Sequence, residues 1–303
     1  MKINIRQPLA FSEIGCKDRQ EDCFFPTLKD LTTENRCFVL CDGLGGREGG
    51  EVASDAVCSA LGGYLESYLG SNKRITTGDF EQALGRAYDE LDNRDARALK
   101  KMGTTMTCLC LHKDGYLAAH IGDSRIYHVR PADSDFANGQ LGIVYQSSDH
   151  SLVNDLLKAG KLTEEEVADF PQRNIVTRAM LSFQMRRCKA DIYMSSDIKP
   201  GDYFFLCSDG ILEQLSNREL CGILASSATD KEKLENIKLV CCGKTKDNFT
   251  CMLVPVNDVA GKVKMREKNS VRSVTQKTRW RALPIFIAFL FLLVLVVGLL
   301  MLL

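Results

Sequence analysis

The sequence of 303 residues is poor in several features that mark common classes of protein. It has one Trp, four His and no pair of CxxC motifs of the kind that builds zinc sites. It has neither a basic recognition helix nor an aromatic-rich RNA-binding string, so we expect no nucleic-acid partner. The segment Met1–Asp18 contains no continuous apolar stretch, so we expect no secretory signal peptide.

The thirteen cysteines do not form a disulfide framework, because their number is odd and their spacing is irregular. Several lie inside apolar runs, where a free cysteine behaves as a small hydrophobic residue: Cys37, Cys41, Cys108, Cys110, Cys207 and Cys251. Together with the missing signal peptide, these thiols favour the reducing cytosol for the main domain.

Two kinds of hydrophobic pattern alternate between residue 2 and about residue 256. Apolar residues recur every three or four positions in Gly50–Tyr68 and in Phe80–Leu91, which predicts two successive helices. A helix is also expected at Ser151–Ala159, and Thr163 and Glu166 are spaced as a capping box that opens another short helix. Short runs rich in β-branched, aromatic and Cys residues predict strands at Cys37–Cys41, Thr104–Leu111, Tyr116–Ile121, Arg125–Arg130, Tyr203–Cys207 and Phe249–Val254. This order favours an α+β sandwich of antiparallel sheets covered by helix pairs.

The end of the sequence differs in composition from the rest. Lys+Arg and Asp+Glu each total 39, yet basic residues crowd the stretch from Gly261 to Arg281. The remaining segment, Ala282–Leu303, is apolar throughout and long enough to cross a bilayer as a helix. We therefore expect three parts: a domain at residues 1–256, a basic linker at 257–281 and a single transmembrane helix at 282–303. The positive-inside rule places the main domain in the cytoplasm, held to the membrane through lipid contacts of this helix.

Aspartates stand at the ends of several predicted strands. Asp42 and Asp209 each end a strand and precede Gly. Asp123 lies between two strands, and Asp247 precedes the strand Phe249–Val254. One Asp-Gly pair is usually a turn. Several carboxylates at one rim of a sheet repel each other unless a cation neutralises them. Because oxygen ligands without His or Cys suit Mg²⁺ or Mn²⁺, the pattern predicts a site for these ions.

The sequence resembles the protein phosphatase 2C, or PPM, family of metal-dependent serine/threonine phosphatases, in its bacterial form. The resemblance covers about residues 2–256 and rests on motifs in family order: GCKDRQED (Gly15–Asp22), VLCDGLGGREGGEVAS (Val39–Ser54), GTTMTC (Gly103–Cys108), HIGDSRIY (His120–Tyr127), SSDHSL (Ser147–Leu152), RNIVTRAM (Arg173–Met180), PGDYFFLCSDGI (Pro200–Ile211) and KDNFT (Lys246–Thr250). It implies a four-layer α-β-β-α sandwich of two antiparallel sheets flanked by helix pairs.

The resemblance also implies a metal centre with two Mn²⁺ or Mg²⁺ ions and a third, looser ion. Asp42 is expected to bridge the pair, with the Gly43 carbonyl, Asp22, Asp209 and Asp247 completing it. Glu21 is expected to hold a metal-bound water, and Asp123 to bind the third ion. The implied reaction is attack by a metal-bridged hydroxide on the phosphorus of phosphoserine or phosphothreonine, with Asp42, Asp22 and Asp209 as its catalytic residues.

Two positions depart from the family pattern. Lys17 stands where relatives have the Arg that binds the substrate phosphate, and Arg19 lies nearby, so either side chain is a candidate for this role. Leu44 replaces the His that acts as general acid in some relatives, so the leaving group needs a proton from water or another group.

The implied partners are phosphorylated proteins, a Ser/Thr kinase that produces them, and membrane lipid. Two other functions remain open: a non-catalytic relative that binds phosphoproteins or acts as a scaffold, and a hydrolase of small phosphoesters. The first is less expected because the full set Asp22, Asp42, Asp209 and Asp247 is present.

Overall fold

The computed structural model describes residues 2–44, 49–70, 73–95, 101–163, 165–167, 170–172 and 175–261, which belong to one compact unit, Met1–Val263. Its helices are α1 (Gly50–Leu69), α2 (Thr77–Arg94), α3 (Leu152–Lys158), α4 (Asp209–Leu212), α5 (Asn217–Ala225) and α6 (Asp230–Cys241). Its strands are β1 (Lys2–Ile5), β2 (Leu9–Glu13), β3 (Asp22–Phe25), β4 (Cys37–Leu44), β5 (Gly103–Thr104), β6 (Met106–His112), β7 (Gly115–Ile121), β8 (Arg125–Val129), β9 (Ile143–Gln146), β10 (Met180–Leu181), β11 (Asp191–Ser195), β12 (Tyr203–Cys207) and β13 (Phe249–Ala260).

The strands form two antiparallel sheets. One has the order β1-β13-β12-β8-β9, with β2 also paired to the first half of β13. The other has the order β10-β5-β4-β6-β7-β11, with β3 also paired to β4. The sequence predicted this α+β arrangement, and the structure confirms it.

Alternation along β4 shows how the layers are built. Phe38 and Leu40 point into a core between the two sheets, whereas Cys37, Val39 and Cys41 point to a second core beneath α1 and α2. A third core lies between the other sheet and the helices α5 and α6, and contains Phe205, Leu220 and Ile237. Three cores separate four layers, in the order helix pair, sheet, sheet, helix pair.

Most predicted elements are present with small changes in their ends. The predicted strand Thr104–Leu111 is broken at Thr105, and the last strand continues to Ala260, where it pairs with β1. The predicted short helix after Thr163 is wrong for the residues described there: residues 165–167 form a turn, although the Glu166 carboxylate accepts a hydrogen bond from the Thr163 N–H at 2.9 Å. One capping bond without an apolar helical face behind it does not sustain a helix.

The linker predicted at 257–281 begins too early, because residues 257–260 belong to β13. The rest of it from residue 262 onward and the predicted membrane helix at 282–303 lie outside the described residues. Among the helices that the structure does describe, none is both long enough and apolar enough to span a bilayer.

Candidate active site

The predicted aspartates converge at one end of the space between the two sheets. Asp22 begins β3 and lies directly opposite Asp42 of β4 in the strand register. By alternation Asp42 points to the same side as Phe38 and Leu40, toward the other sheet. That sheet contributes Asp209, which follows β12, and Asp247, which precedes β13.

The backbone of Asp42 is held on both sides. Its N–H donates to the Thr105 Oγ1 at 3.0 Å, and its carbonyl accepts from the Thr104 Oγ1 and from the Thr105 N–H, both at 2.8 Å. The break in the strand at Thr105 makes these bonds possible. Thr104 and Thr105 therefore fix the backbone from which the Asp42 carboxylate extends.

Gly43, the next residue, is packed too tightly for any side chain. A Cβ atom there would lie 2.2 Å from the Gly50 carbonyl oxygen and 2.8 Å from the Glu21 carbonyl oxygen. The Gly43 N–H also donates to that Glu21 oxygen at 3.1 Å, and the Ser54 hydroxyl donates to it at 2.6 Å. The first turn of α1 is thereby brought against Gly43 and Glu21.

Burial and mutual repulsion raise the pKa of each central carboxyl group. Burial raises the pKa of Asp22 to about 7, although the Ser208 hydroxyl donates to its Oδ2 at 2.8 Å. Burial, with the charge of Asp247, raises the pKa of Asp209 to about 6. Burial and then the neighbouring Asp22 and Asp209 carboxylates raise the pKa of Asp42 far above its ordinary value. Without a cation, these groups cannot all be ionised at neutral pH.

Two buried carboxylate oxygens indicate that the site suits a cation. The Oδ1 atoms of Asp22 and Asp209 are buried and have no hydrogen-bond partner within the part of the chain described. An unpaired buried carboxylate oxygen is costly, and a bound cation removes that cost. The donors are oxygens only, so the residues fit Mg²⁺ or Mn²⁺ and not zinc.

Asp123 and Glu21 lie at the margins of this cluster. Burial, together with the charge of the nearby Asp209, raises the pKa of Asp123 to about 7. Asp123 and Asp209 line a cavity of about 300 Å³ together with Val153 and Leu212. Burial also raises the pKa of Glu21, whose side chain lies beside Gly50.

The structure separates the two candidates for phosphate binding. The Lys17 Nζ lies 2.7 Å from the Asp247 Oδ1, and the charges of Glu21 and Asp42 also act on it. Burial opposes these carboxylates, but the pKa of Lys17 is raised. The Arg19 side chain is exposed and has no hydrogen bond or ion pair with the described residues, whereas its backbone carbonyl accepts from Asn248. Lys17 is thus the basic side chain at the carboxylates.

Asn248 is a residue that the sequence reasoning missed. Its side-chain NH₂ donates to the carbonyls of Ile14 and Arg19 at 2.8 and 2.9 Å, and its Oδ1 accepts from the Glu21 N–H at 2.8 Å. These three bonds hold the loop that carries Lys17 and leads into Asp22. The sequence contains one indication of this role: Asn248 directly follows Asp247 and directly precedes a strand.

The chain is similar to known phosphatases over most of its length. The family model for protein phosphatase 2C matches residues 17–234. A putative protein phosphatase 2C-type protein of Streptococcus pyogenes is 33% identical over 259 residues, which cover 84% of this chain and 97% of the relative.

Solved structures show the same fold. The serine/threonine phosphatase of S. agalactiae has a TM-score of 0.64 at 28% identity, covering 83% of this chain and 99% of its own. The catalytic domain of the phosphatase PstP, solved in complex with two manganese ions, has a TM-score of 0.66 at 23% identity, covering 85% of this chain and 100% of its own. The protein therefore belongs to the protein phosphatase 2C family and is a protein serine/threonine phosphatase.

Proposed function

We propose that this phosphatase hydrolyses phosphoserine and phosphothreonine in proteins with two Mn²⁺ or Mg²⁺ ions, and that a third ion binds beside Asp123. The observation that carries the proposal is the group of buried carboxylates with raised pKa values and two unpaired oxygens. The two manganese ions named for PstP support the same metal and number here.

The residues that would hold the pair are Asp22, Asp42, the Gly43 carbonyl, Asp209 and Asp247, with Glu21 holding a water. When bound, two divalent ions lower the pKa of a water molecule and hold phosphoryl oxygens in line for displacement. The protein contributes fixed positions: Thr104 and Thr105 hold the backbone of Asp42, and Ser208 holds the Asp22 carboxylate, before any substrate arrives. Such preorganisation removes the cost of arranging these groups during the reaction.

Lys17 is proposed to attract the substrate phosphate. In this structure its ammonium group neutralises Asp247. If a cation takes that carboxylate, the ammonium group is released for the phosphate oxygens. A Lys ammonium binds as a point charge without the fork of Arg, so the contribution is mainly to binding. Leu44 supplies no proton, so the leaving serine or threonine takes its proton from water or another group.

The test is release of phosphate from a phosphothreonine peptide by the full chain, with Mn²⁺ and with chelator. Asp42→Ala should abolish release while thermal unfolding stays cooperative, and the matched variant Asp114→Ala, on a surface turn, should keep it. Unchanged release by Asp42→Ala would refute the metal assignment. Hydrolysis of p-nitrophenyl phosphate without any phosphopeptide turnover would favour a small-phosphoester hydrolase, and binding without turnover would favour a scaffold.

We further propose that Ala282–Leu303 anchors the phosphatase to a membrane with its catalytic domain in the cytoplasm. The support is the sequence alone: an apolar segment without charge, preceded by a basic stretch. Such an anchor confines the enzyme to phosphoproteins near the membrane. There it would reverse the action of a Ser/Thr kinase on the same proteins.

A further inference from the structure

His150 makes two hydrogen bonds to a single residue, Gly122, which directly precedes Asp123. The Gly122 N–H donates to the Nδ1 of the His150 ring at 3.1 Å, and the backbone N–H of His150 donates to the Gly122 carbonyl at 2.9 Å. The His150 side chain is buried, with 4% of its surface exposed. His150 therefore satisfies both the N–H and the carbonyl of Gly122, in the turn that carries Asp123.

The turn at Gly122 needs this support. Its φ is +109°, and a Cβ atom there would lie 2.6 Å from the Thr105 Cγ2, so only glycine fits. Thr105 is the residue that holds Asp42, and its hydroxyl also lies 2.8 Å from the Ser124 hydroxyl. A shift of Gly122 would thus move Asp123 relative to the central carboxylates.

The hydrogen bonds define which nitrogen of His150 carries the proton. Because Nδ1 accepts from Gly122, the neutral ring carries its proton on Nε2. This Nε2 lies 3.2 Å from the Asp191 Oδ2 and also 3.2 Å from the Arg178 Nη1. The Arg178 guanidinium, 3.0 Å from the Asp191 Oδ1, pairs with the same carboxylate. The ring is therefore held at both nitrogens.

A second ring fixes the plane of the first. The His120 ring stacks on the His150 ring at 4.5 Å between centroids and 15° between planes. His120 is itself held, since its Nε2 lies 2.9 Å from the Ser148 carbonyl and its residue stands opposite Asp191 in the strand register. His150 is thus fixed in position, orientation and tautomer.

We propose that His150, oriented by Asp191, is a positioning residue that holds the Gly122–Asp123 turn in place to bind the third metal ion. The inference rests on the proposed function, because it takes Asp123 as the ligand of that ion. In this role His150 acts through Gly122 and not as a ligand of the ion. Groups of this kind, one step removed from a metal ligand, change metal affinity by about 10- to 100-fold when they are replaced.

Two substitutions at His150 separate positioning from general packing. In His150→Asn the amide Oδ1 stands at the same distance along the side chain as Nδ1, so it keeps an acceptor for the Gly122 N–H. In His150→Gln the polar group extends toward Asp191 and the acceptor at Nδ1 is lost. The full-length protein is titrated with Mn²⁺, and free Mn²⁺ is counted by its electron paramagnetic resonance signal. The Mn²⁺ concentration for half-maximal phosphate release is measured in parallel.

We expect His150→Gln to lower the affinity for the most weakly bound Mn²⁺ by roughly 10-fold or more and to leave the affinity for the two more tightly bound ions unchanged. His150→Asn should restore most of this loss. In an Asp123→Ala background the Gln substitution should have no further effect on Mn²⁺ binding, because residues that act through one another are not additive. Equal losses in both His150 variants, or a loss that adds to that of Asp123→Ala, would overturn the inference.

The failure of this inference is distinguishable from failure of the proposed function. If the wild-type chain releases phosphate with Mn²⁺ but binds only two ions, the positioning role is refuted and the phosphatase function stands. If the chain releases no phosphate, but His150→Gln still removes a third Mn²⁺ that His150→Asn retains, the proposed reaction fails and the positioning role stands.

Discussion

The raised pKa of Asp22 predicts how the stability of the metal-free phosphatase depends on pH. The folded state binds the Asp22 proton more tightly than the unfolded state, whose pKa is close to the ordinary 3.8. The stability that comes from this proton is therefore fully present below pH 3.8 and is lost as the pH rises through about 7. A rise in pKa from 3.8 to about 7 corresponds to roughly 4 kcal/mol for one carboxyl group.

About half of that free energy falls in a convenient range. Between pH 5.5 and 8 the ionisation of Asp22 should remove roughly 2 kcal/mol of stability from the metal-free protein. Asp22→Asn cannot ionise, so it should not lose this amount. Histidines with lowered pKa values, His120 and His150 among them, change stability in the opposite direction over part of this range, but they are common to both proteins and cancel.

The assay is urea unfolding of wild type and Asp22→Asn in chelator at pH 5.5 and at pH 8. Between pH 5.5 and pH 8 the unfolding free energy of the wild type should fall by about 2 kcal/mol relative to that of Asp22→Asn. Mn²⁺ should then stabilise the wild type more at pH 8 than at pH 5.5, because the ion competes with protons for the same oxygens. This gain should be lost or much reduced in Asp22→Asn.

Asp202→Asn is the matched control, because Asp202 is also buried but pairs with His128 and Arg130 away from the carboxylate cluster. It should lower stability without removing the effect of Mn²⁺. The reasoning fails if the wild type and Asp22→Asn show the same pH dependence in chelator, or if Mn²⁺ stabilises both equally at pH 8.

Three further outcomes follow from other parts of the structure. Lys17→Ala should raise KM for phosphopeptides several-fold with a smaller change in kcat, whereas a larger effect of Arg19→Ala would assign the phosphate to that residue. Gly43→Ala should lower stability by about 1–3 kcal/mol in thermal unfolding, because its Cβ would overlap the Gly50 carbonyl; Gly63→Ala, in α1 with open space around it, should be neutral or stabilising. Truncation after Gly261, which keeps all of β13, should preserve activity on peptides and abolish membrane association on cell fractionation, and a full-length chain found in the soluble fraction would refute the anchor.

Local patterns in the sequence were enough to predict most of the longer strands and helices and to single out the aspartates at strand ends. The strand Tyr203–Cys207 has the bounds predicted for it, and the helix predicted at Gly50–Tyr68 ends one residue later. Apolar periodicity is a local property, and each of these elements buries one face that the period defines. Asp42 and Asp209 were recognisable because they end such strands before Gly. The short strand Asp22–Phe25 was missed because it has four residues and depends on pairing with β4.

The tertiary structure alone decided how these residues interact. The Ser208 hydroxyl holds Asp22 across 186 positions of sequence, and Lys17 finds its partner in Asp247 near the far end of the domain. Likewise, nothing near His150 in the sequence indicates that its ring accepts a hydrogen bond from Gly122 and lies against Asp191. Such contacts depend on strand order and register, which arise from packing between distant segments. The raised pKa values have the same origin, because burial and the approach of other carboxylates exist only once the two sheets have closed on each other.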